Sequence, residues 1–293
     1  MIQDKITQVW VKLTGRKIKP DAYSWLNGII GDQDIISDKY FQNIARAEGL
    51  ILETNAPQSG LIDDISVLDF SREELEKLNP VVKDFYEHTS DYDFEIWSEW
   101  MGIFKPFGKL LTVLFSKRLQ QLNVPTNALA AAKGLKSEIV KLKQHNKVVW
   151  TIWYRKIKST NDVIYSGVYT TAFVPYFNKN LLKVVFPLPN GNASVIMTKK
   201  VLEDGSLLLS SDGKKFGENG FYFYLTDRKQ KHWAKFVKAL HEWIKVYVDE
   251  EGVLRTDHDF KFYGINFLNL HYKMTKKIPH IFIPSESSVA PLL

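Results

Sequence analysis

The stretch Ile244 to Lys273, IKVYVDEEGVLRTDHDFKFYGINFLNLHYK, decides the fold. Ile244, Val246 and Val248 alternate with Lys245, Tyr247 and Asp249, the period of a half-buried strand. Glu250-Glu251-Gly252 follows as a three-residue hairpin loop, with Gly where the backbone turns left-handed. A return strand starts at Val253, and Gly264-Ile265 is read as a second tight reversal. These turns fix a register. One face carries Ile244, Val246, Val248, Leu254, Thr256, His258, Phe260, Phe262, Phe267, Asn269 and His271. The other carries Lys245, Tyr247, Asp249, Arg255, Asp257, Asp259 and Lys261. The first face is the expected core, and a slip of one residue would exchange the two.

In that register His258 stands directly opposite His271, with Thr256 and Asn269 nearby. Directly opposed side chains have Cβ atoms about 4.5–5.5 Å apart. Two imidazoles, an amide and a hydroxyl on an apolar face must find hydrogen bonds or cost about 1–3 kcal/mol each. Ordinary satisfaction inside a core is the plain reading. The sharper one makes His258, His271, Asn269 and Thr256 the polar floor of a ligand pocket. A metal site would need a third ligand, and none stands at a telling spacing.

Working outward, residues 144–278 read as an antiparallel β region with one late helix. Val148–Ile157 and Val163–Val174 flank Ser159-Thr160-Asn161-Asp162, a hairpin loop. Both arms are apolar on both faces, as for central strands covered on two sides. Leu182–Leu188 and Ala193–Lys199 flank Asn190-Gly191, which pairs Val184 with Met197 and leaves Pro187 and Pro189 where donors are needed. Phe221–Leu225 is a further strand. Trp233, Phe236, Val237, Leu240 and Ile244 have helical spacing, so the late helix is placed at 230–243, with a strand there as the alternative.

Residues 1–143 read as mainly helical and packed on that sheet. Ile2, Ile6, Val9, Trp10 and Leu13 share one helical face. A short helix at 38–48 ends at Gly49, and 58–69 is a connecting segment. Ser71 with Glu74 forms a capping box, and Asn79-Pro80 opens the next helix. Phe94, Trp97, Trp100, Phe104, Phe107, Leu110, Leu111, Leu114 and Phe115 suggest an aromatic helix across 92–122. Core packing is its plain reading, a membrane-surface helix with Trp and Lys at the boundary is the sharper one, and docking in a partner protein's groove is the third. Leu135–Leu142 is taken as the last helical piece. Residues 279–293 are an extended or disordered tail. Helices followed by strands argue α+β. The fold expected is helices on a strongly curved antiparallel sheet, or a partly closed barrel, of about eight or nine strands.

Composition excludes several functions. The chain has no cysteine, so disulfides, thiolate catalysis and cysteine-held metals are ruled out. A net charge of +6 over 293 residues is too modest and too spread to demand a polyanion. The basic run Arg228-Lys229-Gln230-Lys231-His232 beside Trp233 could bind a single strand, but solvated lysines explain it as well, and no nucleic-acid partner is expected. No phosphate loop, dinucleotide fingerprint, zinc-protease motif or nucleophile elbow occurs, and no cofactor is implied. Glu95 and Glu99, four apart on the expected helix, read as surface charge rather than an acid–base pair. No apolar run is long enough for a spanning helix, and no secretory leader is apparent. A soluble, cytoplasmic protein is therefore expected, with peripheral membrane contact allowed and the oligomeric state open.

Three functions compete at this point. The first is a soluble binding protein for an apolar or amphipathic small molecule, a lipid included, held in the sheet interior. The second is an enzyme using His258 or His271 as general acid/base in the same cavity. The third is a structural or partner-binding protein without a ligand.

Overall fold

The structure, a computed structural model, describes residues 2–31, 40–54, 56–102, 135–158, 161 and 163–277. Fourteen strands occur among them, all paired antiparallel. In chain order they are β1 (Arg16–Ile18), β2 (Ile51–Thr54), β3 (Tyr92–Trp100), β4 (Leu135–Gln144), β5 (Lys147–Ile157), β6 (Val163–Val174) and β7 (Lys179–Leu188). Then come β8 (Gly191–Val201), β9 (Leu207–Ser210), β10 (Gly220–Thr226), β11 (His232–Phe236), β12 (Leu240–Val248), β13 (Leu254–Phe262) and β14 (Ile265–Lys276). The main path runs β2-β4-β5-β6-β7-β8-β9-β12-β13-β14-β3, and a branch β10-β11-β1 leaves β8. The path ends at β2 and β3 and does not close into a barrel. Antiparallel sheet with a few helices therefore holds, but eight or nine strands is too few and closure is wrong.

The largest core lies inside the bend of this sheet. Phe94 and Ile96 of β3, Ile139 of β4, Trp153 of β5, Val195 of β8, Val246 of β12 and Leu270 of β14 all belong to it. Strands distant along the path thus share one interior. Residues 61–86 close part of it, through Leu61, Ile65, Leu68 and the helix α4 (Pro80–Glu87), whose Val82, Phe85 and Tyr86 face inward. The helix α3 (Arg72–Lys77) precedes α4 and has the expected capping box, with Ser71 accepting from the Glu74 amide and Glu74 from the Ser71 amide. Lys199 of β8 pairs with Glu74 and lies over Phe70.

The outer face is covered as well. Helix α2 (Tyr40–Glu48) lays Tyr40, Phe41 and Ala45 on Val140, Ile152, Tyr154, Val168 and Val185. This second layer explains why β5 and β6 are apolar on both sides. The 3-10 turn Pro20–Leu26 packs Trp25 and Leu26 against Tyr222, Tyr224 and Ile196. The first helix, α1 (Ile2–Thr14), forms where expected, but Val11 is its core residue and Ile6, Val9 and Leu13 face outward.

Three stretches expected to be helical are strands. Residues 92–100 are β3, whose inner row Tyr92, Phe94 and Ile96 alternates with outward residues. Residues 135–142 belong to β4, and 230–243 holds β11, a turn and the start of β12. In each case aromatic or β-branched side chains at mixed spacing satisfy both periods, and pairing with a waiting edge settles the choice. The remainder of the expected aromatic helix, 103–122, and the tail 279–293 fall outside the described residues.

Asp84 of α4 ties the helix to the sheet edge. It accepts hydrogen bonds from Tyr92 Oη at 2.6 Å, Lys276 Nζ at 2.7 Å and His88 Nδ1 at 2.9 Å. Burial pushes its carboxyl up, but these donors outweigh that and hold it at about 2. A depressed carboxyl stabilises the fold above its unfolded value near 4, and the benefit goes as pH falls through about 2. Asp84→Asn is expected to cost about 1 kcal/mol near neutral pH, screening by water included. Urea titrations of both proteins should show this gap narrowing below pH 4 and nearly absent by pH 2. A gap independent of pH would refute the ion-pair account.

Candidate functional site

A cavity of about 380 Å³ occupies the bend of the sheet. Its walls come from β5 to β9 on one side and β12 to β14 on the other, with Leu61, Phe85 and Tyr86 at one end. Inward rows of Val, Leu, Ile, Met and Phe make most of it apolar. Alternation puts the polar residues in the same rows. On β5 the row is Trp153, Arg155 and Ile157, on β6 it includes Tyr165 and Tyr169, and on β12 it is Leu240, Glu242, Ile244 and Val246.

Arg155 is the most unusual of them. It is 3% exposed, and its guanidinium carbon lies 4.2 Å from the Trp153 ring centroid, 4.4 Å from that of Tyr165 and 5.4 Å from that of Tyr272. Among the described residues its Nε and Nη1 have no hydrogen-bond partner. Beside it the Tyr165 and Tyr169 hydroxyls are 3.0 Å apart. Burial pushes the Tyr169 phenol up to about 12 and Tyr165 well above its ordinary value, so both keep their protons at neutral pH. Gly167, between the two tyrosines in the row, makes room for this arrangement. A Cβ there would lie 2.5 Å from the Tyr165 hydroxyl oxygen.

On the facing arm Glu242 is 6% exposed, and one of its carboxylate oxygens lies 3.2 Å from His258 Nε2. The imidazole stacks on Phe260 with centroids 4.0 Å apart. Thr256 points the same way and donates to the Met274 thioether at 3.6 Å. Among the described residues no three His, Asp or Glu side chains converge as a metal-ligand set.

Of the four site residues expected from sequence, His258 and Thr256 line the cavity, whereas His271 and Asn269 do not. His271 pairs across the ladder with Asp257 and Asn269 with Asp259, both on the outer face. His271 Nδ1 sits 2.7 Å from the Asp257 carboxylate, and its side chain is 44% exposed. The cause is a single residue. The turn is Tyr263-Gly264, both with positive φ, so Phe262 pairs with Ile265. Phe267 then bulges out of the ladder between Asn266 and Leu268. Beyond it His258 faces Leu270, and Leu268, Leu270, Tyr272 and Met274 point inward in place of Asn269 and His271. The β7–β8 turn also moves, to Pro189-Asn190, so Val184 pairs with Val195. That shift is two residues, which keeps the predicted inner face and relieves Pro189 of a ladder position.

Arg155, Tyr165, Tyr169 and Glu242 escape the sequence reading. Glu242 was recoverable, because the period-2 row of Ile244 and Val246 extends back to it. Arg155 between two apolar inward residues on a strand covered on both sides was a second available signal.

No protein-family model matches the chain, and no solved structure matches it. It is 27% identical over 236 residues to the uncharacterized membrane protein YndJ of Bacillus subtilis (strain 168). That similarity covers 80% of this chain and 40% of the relative, so the chain spans well under half of the protein it resembles. The expectation of a soluble, cytoplasmic protein is corrected by this finding, since the relative is named as a membrane protein. Within the described residues no helix is long and apolar enough to cross a membrane, which leaves spanning by strands untouched.

The two histidines should now differ in energetic weight. His258→Ala removes a half-buried stacked ring and strands the buried Glu242 carboxylate, and is expected to cost about 2 kcal/mol or more. His271→Ala, on the exposed outer face, should cost about 0.5 kcal/mol or less. Equal losses in urea denaturation would contradict the bulged register.

Proposed function

We propose that this chain is a ligand-binding module whose bent sheet holds one apolar or amphipathic small molecule. The observation that carries this reading is the cavity itself. Its 380 Å³ lies within the range of small-molecule sites, and its walls are apolar and aromatic with a few convergent polar groups. Apolar side chains facing a space of this size gain dispersion contacts when a hydrocarbon body occupies it. The similarity to a protein named as a membrane protein supports a setting where lipid-like molecules are at hand.

A second reading is favoured by one specific contact. Glu242 beside His258 Nε2 resembles an oriented general base, inside a cavity rather than on the surface. Under it the same site turns a bound molecule over, and His258→Phe abolishes turnover while leaving binding in place.

Native mass spectrometry of freshly purified protein should show an adduct of lipid-like mass. Val195→Trp, which fills the cavity from β8, should remove the adduct and weaken binding of a fluorescent apolar probe about ten-fold or more without unfolding the protein. Undiminished probe binding in a folded Val195→Trp protein would place the ligand elsewhere and end this proposal.

A further inference from the structure

The polar groups of the cavity are not equivalent. Glu242 has a partner in His258. Arg155 is as deeply buried, yet Nε and Nη1 donate to nothing, and among the described residues no carboxylate forms an ion pair with it. A guanidinium cannot shed its proton to escape this, as a lysine or histidine would. Aromatic faces offset part of the desolvation, but they leave the in-plane N–H donors unanswered. Among buried charges, an uncompensated one is the costliest arrangement. Such a group is understandable where its partner arrives from outside, and its planar fork matches two oxygens of an oxyanion.

The surroundings specify the partner further. The Tyr165–Tyr169 pair keeps one hydroxyl hydrogen for the other and one to spare, so a donor stands beside the guanidinium. One guanidinium supplies one positive charge, and Glu242 already places a carboxylate in the same space. A monoanion answers the Arg155 donors with the least added negative charge beside Glu242, whereas a dianion would add a second in an apolar surrounding. Most of the remaining lining is apolar, Val195, Met197, Ile244, Leu268 and Leu270 among it, and offers contact to hydrocarbon.

We propose that the cavity takes a monoanionic amphiphile, a carboxylate on a single aliphatic chain or compact apolar body, with its head received by Arg155 and the Tyr165–Tyr169 hydroxyls. This rests on the reading of the cavity as a ligand site and adds the class of the ligand.

Calorimetric titration of the whole chain with decanoate, 1-decanol and decyl phosphate, all below their aggregation limits, tests it. Decanoate is expected to bind about ten-fold or more tightly than 1-decanol, and more tightly than decyl phosphate. Arg155→Met should erase the preference for the acid and leave the alcohol unchanged. Unliganded Arg155→Met should melt at or above wild type, since an unpaired charge has been replaced by an apolar side chain of similar length. A structural Arg155 would instead lower the melting temperature. Should that variant not fold, Tyr165→Phe with Tyr169→Phe serves, and is expected to weaken decanoate about three-fold or more and 1-decanol little. Equal affinity for acid and alcohol in the wild type, or an acid preference that survives Arg155→Met, overturns the head-group assignment alone. Tighter binding of decyl phosphate overturns the carboxylate class and keeps an oxyanion site. Failure of all three probes to bind removes the ligand site and this inference with it.

Discussion

One bulged residue sets which chemistry the interior contains. A strand presents alternate side chains to opposite sides, so an odd insertion transfers everything beyond it to the other side. Phe267 is that insertion in β14. Because of it Leu268, Leu270, Tyr272 and Met274 line the bend, and a histidine and an asparagine are exported to water. Without it the interior would hold two imidazoles and an amide against Glu242. Arg155 would then face a polar arm in place of the Tyr272 ring, which now lies 5.4 Å from its guanidinium.

The bend works because both surfaces of the central strands are occupied. Inside, β5 contributes Trp153 and Arg155. Outside, Ile152 and Tyr154 meet α2. Trp153 is fixed from several directions, its Nε1 donating to Ser137 at 2.9 Å and its ring meeting Phe94 at 5.2 Å between centroids. Its ring lies against the buried guanidinium, whose carbon is 4.2 Å from the ring centroid. Flexible stems such as Lys141, paired with Asp63, and Lys183, donating to the Trp25 carbonyl at 2.9 Å, keep partners of their own. Among the described residues Arg155 is the buried cation whose Nε and Nη1 lack such a partner.

Much of this architecture was legible in the residues. The hairpin arms of β7–β8 and β12–β13 follow from period-2 rows and turn residues, those of β5–β6 from apolar runs about a hairpin loop, and the capping box at Ser71 and the Asn79-Pro80 helix start appear where local chemistry puts them. Errors gathered where two signals compete. Trp233 to Leu240 fits helical spacing as well as two short strands, and only the β1, β10 and β9 edges decide between them. The bulge is invisible for a different reason. Tyr263-Gly264 and Gly264-Ile265 are both acceptable turns by composition, and the choice rests on Phe267 packing beside Phe260, a contact made across the ladder. Arg155 is harder to read, because a lone charge in a strand looks solvated unless the two-sided apolar pattern around it is weighed against that.

Gly167 carries a consequence for how such an interior is sized. The Tyr165 phenol rests over a backbone site with no side chain, and its reach toward Tyr169 depends on that gap. The capacity of the chamber is therefore governed from behind its wall. One added carbon beneath the ring would crowd the space in front of it, with every residue that touches the contents left as it was.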